Sequence, residues 1–497
     1  MKKSLCFLLI CSVALLNSCK DKNKGDDPTS NATLESIAVT KLPSKMTYGI
    51  GETFDLTGME VTATYSDGDT KPVTITADNL EYDFSATGLK TVIITHESEI
   101  AYVNNITVRN FIGSGESAAD PYLIGNPLQL ANLAVLVNTP ATSALWTSKY
   151  YRLTADIDLS SYSSGEGWTP IGNFNYAFEG HFDGAGHTVS NLYIDRTGGY
   201  TGLFGSAGKT YNVTIENLSV TVASITGGNF TGGIAGSVYG NIADCKVTGG
   251  EVSGNDYVGG LVGYLGGDSY DHEDEFDGEL INSYSTSEVS GNDRVGGIAG
   301  AIVDGIMLNC YATGAVSGNN WVGGITGLLR SEDLANPAKL ANCYAAGAVS
   351  GNSNVGGIAG YLDDAELINS FATGAVGGNE NAGGIAGYVW DSKVDNCAAL
   401  NPSIEQTGGT ALTFGRVAGY DSDESILSNN VGFVSMPVRG APVLPVEDKD
   451  GNNITYPQII SDGTIGGRFI SSGGWTTENG RLPGFGATLS ILGHLIE

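Results

Sequence analysis

The sequence is poor in charged residues, in cations and in histidine. Charged residues make up 16% of the 497 residues, against about 25% in an average globular protein. The 24 Lys and Arg stand against 54 Asp and Glu, so the formal charge is -30. This balance excludes nucleic acid and anionic lipid as expected partners, because binding to polyphosphates depends on clustered cations. Five His leave few combinations for a metal site or an acid–base pair.

The apolar run at the N-terminus is too short to cross a bilayer as a helix. It covers twelve residues, Leu5 to Leu16, after the positive start Met1-Lys2-Lys3, and this order is typical of a secretory signal. The run leads into Cys19 through Leu16-Asn17-Ser18, which resembles the lipobox of bacterial lipoproteins. The resemblance implies a signal peptide over residues 1–18, a lipid on Cys19 and an exported protein anchored in the outer membrane, with the cell surface as the expected side. An ordinary cleaved signal with an incidental Cys is the alternative.

An all-β module follows a polar tether at residues 19–35. Residues 36–110 contain short runs rich in β-branched residues, separated by turns such as Ser66-Asp67-Gly68, and this pattern predicts a β-sandwich. The segments Tyr48–Glu52 and Gly58–Gly68 resemble bacterial Ig-like domains of surface proteins. The resemblance implies a spacer without a site of its own.

Residues 115–205 are predicted to form a cap and the first coils of a longer structure. Asn126 can cap a helix, Pro127 suits its first position, and Gln129 stands where a capping-box partner belongs. Four apolar residues then follow at the spacing of one buried helical face: Leu130, Leu133, Ala134 and Val137.

The 72 Gly, twice the usual share of about 7%, are concentrated in a repeat. The pattern Gly-Gly-aliphatic-X-Gly begins at Gly232, Gly259, Gly296, Gly323, Gly356 and Gly383, with degenerate copies at Gly202–Gly205 and Gly415–Gly419. The steps between the six starts are 27, 37, 27, 33 and 27 residues. A constant period interrupted by insertions predicts a solenoid whose units bury their apolar faces against one another.

A second series precedes the glycine motifs at a nearly constant distance. Its members are Asn217, Asp244, Asn282, Asn309, Asn342, Asn369 and Asn396. Asn tolerates left-handed backbone conformation, and its amide can bond along a stack, so this series predicts a corner of a parallel β-helix.

The glycine units resemble the GLUG motif of bacterial surface proteins and of some immunoglobulin A metallopeptidases. The resemblance implies an all-β chain with a parallel β-helix over residues 206–420 and a C-terminal cap over 421–497. The metallopeptidase activity is not expected here. Zinc peptidases need His-Glu-X-X-His, and the second His is missing after both His96-Glu97 and His272-Glu273.

Two series of large residues are candidates for a binding surface. One follows the Asn series, and the other precedes the glycine pairs by two positions. The first series contains Tyr284, Tyr311, Tyr344 and Phe371. The second series contains Phe230, Tyr257, Arg294 and Trp321. If the small residues beside them point inward, both series form exposed columns suited to stacking on sugar rings or to a protein partner. The alternative is that stacked side chains only stabilise neighbouring coils.

An acidic insertion and four cysteines complete the set of candidates. Asp268, Asp271, Glu273, Asp274 and Asp277 supply enough oxygens for Ca²⁺, but their spacing matches no EF-hand, and a solvated loop is the favoured interpretation. No other cofactor is expected. Cys310 and Cys343 fall on adjacent predicted coils, within reach of a disulfide, yet we expect free buried thiols there, as for Cys245 and Cys397.

No catalytic motif emerges from the sequence. We therefore predict a surface lipoprotein that acts as a non-catalytic adhesin or as a module that binds a glycan or a surface protein. A structural component of a surface assembly is the first alternative. A β-helix enzyme that degrades polysaccharides is the second, since paired carboxylates could be assembled by folding.

Overall fold

The computed structural model describes residues 32–209, 213–266, 278–332, 336–408, 413–439, 441–442 and 448–496. The signal peptide, the lipid site at Cys19 and most of the tether lie outside this part of the chain. The acidic insertion with Asp268, Asp271, Glu273, Asp274 and Asp277 also lies outside it, so the Ca²⁺ site stays a prediction.

The chain divides into two compact units. The first contains the described residues up to Lys45, together with Asp55–Tyr82 and Thr91–Asn104. The second contains Met46–Phe54, Asp83–Lys90 and the chain from Asn105 onward.

The N-terminal module is built from short strands, as the sequence predicted. They are Leu34–Lys41, Thr47–Gly49, Glu60–Tyr65, Thr70–Val73, Leu80–Glu81, Gly88–His96 and Glu99–Arg109, with a 3-10 turn at Ala77–Asn79. In the first unit, Glu60–Tyr65 pairs antiparallel with both Leu34–Lys41 and Thr70–Val73. Val92 and Ile94 are fully buried between more exposed neighbours, which is the alternation of a strand with one face in the core.

The predicted cap helix spans Pro127–Asn138. The side chain of Asn126 accepts a hydrogen bond from Gln129 N at 2.9 Å, and Gln129 Oε1 accepts one from Gly125 N at 2.6 Å. The predicted stripe of Leu130, Leu133, Ala134 and Val137 is buried in the same apolar cluster as the first solenoid coils. The other helices are Ser143–Trp146, Tyr456–Ile460 and Gly493–Ile496, and the other 3-10 turns are Ser160–Tyr162, Asp448–Asp450 and Ser471–Gly473.

From Tyr122 onward the chain winds into a parallel β-solenoid of about 10 turns. A typical coil contains five short strands, and each pairs in parallel with the equivalent strand one coil later, as Tyr311 does with Tyr344 and Leu340 with Leu367. We name the five resulting stacks ladders A to E in chain order within a coil.

Ladders A and B share one sheet. Ladder A contains Ile157–Asp158, Thr188–Asp195, Ser219–Thr226, Lys246–Thr248, Tyr284–Ser285, Tyr311–Ala312, Tyr344–Ala345, Phe371–Ala372, Ala398–Ala399, Val431–Phe433 and Asn452–Ile454. Ladder B contains Glu251–Ser253, Glu288–Ser290, Val316–Ser317, Val349–Ser350, Val376–Gly378, Ile404–Gln406 and Pro437–Val438, the last paired antiparallel with Ala441–Pro442.

The other three ladders form the remaining sides of the coil. Ladder C contains Thr231–Gly232, Val258–Gly259, Asp293–Gly296, Asn320–Gly323, Ser353–Gly356, Glu380–Gly383 and Phe414–Gly415. Ladder D contains Phe204–Ala207, Ala235–Ala243, Val262–Gly266, Ala299–Val303, Thr326–Arg330, Ala359–Asp363, Ala386–Trp390 and Ala418–Asp421. Ladder E contains Tyr122–Ile124, Tyr150–Leu153, His181–Asp183, Val213–Glu216, Gly278–Ile281, Gly305–Leu308, Lys339–Ala341, Glu366–Ile368, Lys393–Asp395 and Ile426–Ser428.

The predicted Asn corner is confirmed between ladders E and A. All seven members of the series have positive φ, for example 52° at Asn282 and 56° at Asn309. Their amides bond along the stack, with Asn309 Nδ2 donating to Asn282 Oδ1 at 3.1 Å and Asn396 Nδ2 to Asn369 Oδ1 at 2.8 Å.

The motif glycines serve close packing rather than left-handed conformation. None of the glycines in the six motifs has positive φ. A Cβ on Gly297 would lie well inside van der Waals distance of Gly324 O, and one on Gly300 would lie 2.5 Å from Gly263 O. The period therefore depends on glycine because successive coils touch backbone to backbone at this point.

The solenoid extends further toward the C-terminus than we expected. The predicted boundary at residue 420 is wrong, because ladder strands continue to Asn452–Ile454. The chain beyond Tyr456 does not act only as an end cap, since it folds back along ladder A. Trp475 contacts Phe371 with ring centroids 5.5 Å apart, and His494 Nε2 lies 2.8 Å from Leu400 O.

The prediction of free thiols is confirmed for Cys245, Cys310, Cys343 and Cys397, all of which are buried. Burial raises the pKa of Cys245 and of Cys397 to about 12. It also raises the pKa of Cys310 well above its ordinary value.

These thiols are expected to resist alkylation in the native protein. A thiol of pKa about 12 is ionised in only about one molecule in ten thousand at pH 8, and only the thiolate reacts. Peptide mapping after iodoacetamide treatment at pH 8 should find the peptides carrying Cys245 and Cys397 unmodified in the folded protein and fully modified in 8 M urea. Rapid modification under native conditions would contradict the buried assignment.

Candidate functional site

The first predicted column, along ladder A, exists but is largely covered. The ring centroids of Tyr284, Tyr311, Tyr344 and Phe371 follow one another at 4.6, 4.8 and 5.2 Å. The expectation that the whole column is exposed is wrong, because Tyr344 is 3% exposed and Phe371 is 0% exposed. The C-terminal segment covers them with Phe469, Trp475 and Phe485.

Only the start of this column remains accessible. Tyr284 and Tyr311 are half-buried, and they line a groove of about 400 Å³ with Asn282, Asn309, Gly474 and Phe485. Burial raises the pKa of Tyr311 to about 12, so its hydroxyl is protonated and able to donate at neutral pH.

The second predicted column stands at another left-handed corner, at the start of ladder C. Phe230, Tyr257, Arg294 and Trp321 have φ of 60°, 59°, 57° and 55°. Bulky residues are uncommon in this region of conformational space, and their presence marks a position held by its surroundings. Here the surroundings are the neighbouring coils: Phe230 and Tyr257 stack at 4.7 Å, and the Arg294 guanidinium lies 4.6 Å from Tyr257 and 4.3 Å from Trp321.

This column contains more residues than the four that the sequence predicted. Below it, Tyr200 stacks on Phe230 at 4.9 Å and contacts Phe174 at 5.7 Å. Above it, the stack passes from the corner to ladder D through Tyr361, Tyr388 and Tyr420, with centroid distances of 5.1 Å from Trp321, then 5.0 and 4.6 Å.

The missed tyrosines had a signal in the sequence. Tyr264, Tyr361, Tyr388 and Tyr420 each follow directly after the last Gly of a motif copy. In a coil whose corner residue is Asn, as at Asn354, the tyrosine after the last Gly of the motif supplies the ring of the stack, as Tyr361 does.

Stacking determines what the column can present to a ligand. At centroid distances of 4.7 to 4.9 Å and interplanar angles of 17° and 18°, neighbouring rings cover each other's faces and leave no room for a sugar ring between them. The column therefore presents ring edges and hydroxyl groups to solvent, and the expected stacking of sugars on exposed faces does not apply along it.

A groove beside the column offers a different geometry. It encloses about 440 Å³, and its lining residues are Phe174, Tyr200, Ser206, Gly208, Lys209, Phe230, Ser237, Tyr239, Tyr257 and Tyr264. The ring of Tyr264 stands across the column, at 85° to Phe230 and 71° to Tyr257. Phe174 is 60% exposed and Tyr239 is 36% exposed, so both present aromatic surface to solvent.

Three titratable side chains outside the groove form a cluster of ion pairs. Arg330 Nε lies 3.3 Å from Asp363 Oδ2, and its Nη2 lies 3.8 Å from Glu332 Oε1. Burial raises the pKa of the Asp363 carboxyl, with Arg330 opposing that rise. None of these three residues lines the aromatic groove.

Two further findings concern metals and membranes. Within the described ranges, no group of three or more His, Cys, Asp and Glu is arranged to hold a metal ion. The helices of that part of the chain are all too short or too polar to span a bilayer.

Comparison with known proteins supports the domain assignment. The bacterial Ig-like domain (group 3) matches residues 42–109, and the GLUG motif matches residues 351–377 and 378–405. The chain is 42% identical over 144 residues to halomucin of Haloquadratum walsbyi, which covers 27% of the chain and 1% of that protein. It is 35% identical over 143 residues to a protein of Evansella cellulosilytica described as a candidate Gly-rich membrane protein, covering 28% of the chain and 15% of that protein.

Two further proteins that resemble the chain are described by the names of enzymes. The chain is 42% identical over 74 residues to pectate lyase L of Thermoclostridium stercorarium, which covers 15% of the chain and 6% of that protein. A crystal structure from Bacteroides ovatus, described as that of a candidate immunoglobulin A1 protease, is 20% identical with a TM-score of 0.45 and covers 76% of this chain and 95% of that one. The chain thus spans only a small part of the three sequence relatives. It carries a group 3 bacterial Ig-like domain followed by a parallel β-solenoid with GLUG motifs.

Proposed function

We propose that this chain is a cell-surface module that binds a glycan or a protein without catalysis, through the aromatic groove. The observation that carries the proposal is the groove itself: about 440 Å³ lined by six aromatic residues. Grooves of this size with apolar walls and a few polar groups are typical of ligand sites.

The chemistry of the lining suits a polyhydroxylated ligand. Four of the six rings are tyrosines, which combine an apolar ring with a hydroxyl able to donate and accept. Ser206 and Ser237 add further polar atoms to the lining. Because the rings are held by stacking between coils, binding immobilises few side chains, and the entropic cost of association is low.

The surface location is supported by the relatives. One is named halomucin and another is described as a candidate Gly-rich membrane protein, although the chain spans 1% and 15% of their lengths. We include in the proposal an attachment to the outer membrane through a lipid on Cys19, with the Ig-like domain as a spacer.

The groove is tested by truncating its exposed rings. Phe174→Ala and Tyr239→Ala remove aromatic surface from the groove, and both side chains are at least one-third exposed, so folding should be preserved. We expect each variant to weaken binding of oligosaccharide hits from a glycan array about tenfold, which corresponds to about 1.4 kcal/mol. Isothermal titration calorimetry measures the change.

Tyr420→Ala is the matched control. Tyr420 is 38% exposed and belongs to the same stack, but it lies outside the groove. Its truncation should leave affinity unchanged, and equal losses in all three variants would contradict the groove as the binding site.

A structural role in a surface assembly is the second candidate, and a specific observation favours it. The rings of both columns cover one another's faces, as expected if stacking serves coil stability. A chain that binds no glycan or protein ligand but is required for assembly of a larger surface complex would support this role. The enzyme alternative would be established by the release of reducing sugar or unsaturated uronide from a polysaccharide.

A further inference from the structure

The column contains one cation, Arg294, held in an unusual position. Its guanidinium lies between the rings of Tyr257 and Trp321, with Cζ 4.6 and 4.3 Å from their centroids. Cation–π contacts on both faces leave only the in-plane N–H groups for hydrogen bonding. Tyr257 also lines the aromatic groove, so Arg294 stands at the end of that groove, one coil further along.

Arg294 has no acceptor among the residues that the structure describes. Its Nε is buried without a hydrogen-bond partner, and no ion pair involves it. Other solenoid cations do find carboxylates, as Arg152 does with Asp183 at 2.9 Å. In a chain with 54 Asp and Glu against 24 Lys and Arg, four of the nine arginines form ion pairs within the described residues, and Arg294 is not one of them.

A second cation without an ion pair among the described residues stands at the other end of the groove. Lys209 lines the groove, with its Nζ 5.3 Å from the Phe174 ring centroid. Lys209 is near Tyr200, and Arg294 is three coils further along the same column. At about 4.8 Å per coil, the two cations are separated by about 15 Å along the solenoid axis.

We propose that the ligand of the groove is an anionic saccharide whose carboxylates pair with Arg294 and Lys209. This inference rests on the proposed binding function and specifies its ligand class. The planar N–H groups of arginine match a carboxylate in bidentate geometry. The tyrosine edges between the two cations would then contact the sugar rings that lie between the charged groups.

The net charge of -30 does not prevent such binding. At physiological ionic strength, charges separated by more than about 8 Å are largely screened, so the groups beside the ligand dominate. Carboxylates beside the two cations are engaged among the described residues: Asp293 Oδ1 accepts from Asn320 Nδ2 at 2.9 Å, and Glu179 Oε2 accepts from Lys209 N at 3.1 Å.

The test compares an acidic oligosaccharide with its neutral counterpart. Full-length protein is titrated with oligogalacturonate, with an oligosaccharide that carries uronate at alternate sugars, and with the carboxyl-reduced form of each. We expect at least one acidic ligand to bind at least tenfold more tightly than its reduced form, with an affinity that falls as salt rises from 50 to 300 mM.

Arg294→Tyr is the informative variant, because tyrosine already occupies the same corner at Tyr257 and Tyr200 and can continue the stack. It should lower the preference for the acidic ligand to the part that Lys209 supports, and leave affinity for the reduced form unchanged. Arg294→Gln should do the same. Lys339→Gln, which removes a cation paired with Glu366 at 3.8 Å on ladder E, is the control and should retain the preference.

The outcomes separate the two proposals. Equal affinity of the wild-type protein for acidic and reduced ligands would overturn the anionic specificity while leaving the binding function in place. A preference that is undiminished in Arg294→Tyr would overturn the assigned role of Arg294. Failure of every saccharide to bind would overturn both the inference and the glycan-binding function.

Discussion

Gly324→Ala is expected to lower the free energy of unfolding by about 3 kcal/mol, the upper end of the usual cost of overpacking. A Cβ on Gly324 would overlap Gly357 O of the next coil and lie 2.7 Å from Ala345 Cβ. Because the obstacle is backbone rather than a mobile side chain, the coils would have to separate and lose ladder hydrogen bonds on both sides. Urea denaturation followed by circular dichroism measures the change.

Gly198→Ala is the matched control for this prediction. A Cβ on Gly198 meets no atom within 4 Å, and its φ is not in the left-handed region. The substitution should change stability by less than about 1 kcal/mol and can be mildly stabilising, since it restricts the unfolded chain. Similar midpoints for Gly324→Ala and the wild-type protein would show that the close approach of the coils is not required.

Arg416→Ala is expected to destabilise the C-terminal coils by about 3–5 kcal/mol, the cost of leaving buried polar partners of a charged group unsatisfied. Arg416 replaces the second Gly of the motif in the last copy and is 0% exposed. Its Nη1 donates to Asn453 Oδ1 at 2.7 Å, and its Nη2 donates to Gly451 O at 3.0 Å. Burial lowers the pKa of the guanidinium, which nevertheless remains charged at neutral pH.

The measurement for Arg416→Ala is hydrogen exchange of peptides covering residues 414–454, together with urea denaturation. Exchange should accelerate there and remain slow in coils before residue 350, because a solenoid loses structure locally. Arg439→Ala is the control, since Arg439 is exposed and its Nε reaches only Gln406 Oε1, at 3.2 Å. Unchanged protection in Arg416→Ala would contradict the role of Arg416 in closing the solenoid.

The expected effects of Gly324→Ala and Arg416→Ala both follow from how the motifs of successive coils stack. Each motif before the last has another coil stacked on it, so the second Gly faces the carbonyl of the equivalent residue, as Gly384 faces Arg416 O. No further motif stacks on Arg416, and the side chain that glycine forbids elsewhere has space to enter the core. The degenerate copy Gly415–Gly419 is therefore the structural end of the repeat, whereas its sequence alone indicates only an imperfect match to the motif.

The predictions that depended on local residue spacing and on backbone preferences were confirmed. The stripe from Leu130 to Val137 is a helical face because its spacing matches the helical period, and the Asn corner has positive φ because Asn tolerates that conformation best after glycine. The strand alternation at Val92 and Ile94 likewise follows from local periodicity. In each case the neighbours that matter lie a few residues away along the chain, or at the same position in the next coil.

The composition of the binding surface was not predictable in this way. Ladder position placed Tyr344 and Phe371 on the outside of the coil, but whether that side meets solvent depends on the chain beyond Tyr456, more than 80 residues further along. Likewise, Phe174 and Tyr264 meet the second column only because the insertions and turns between them set how the coils align.

The sequence by itself determined that this chain winds as a parallel solenoid with a 27-residue period, because glycine spacing and corner asparagines are constraints repeated in every coil. It also determined that few cations are available. Only the tertiary structure decided which aromatic residues form a groove, which are covered, and that Arg294 lies between two rings without a carboxylate partner among the described residues. Those outcomes depend on contacts between distant segments, for which a single coil carries no local signal.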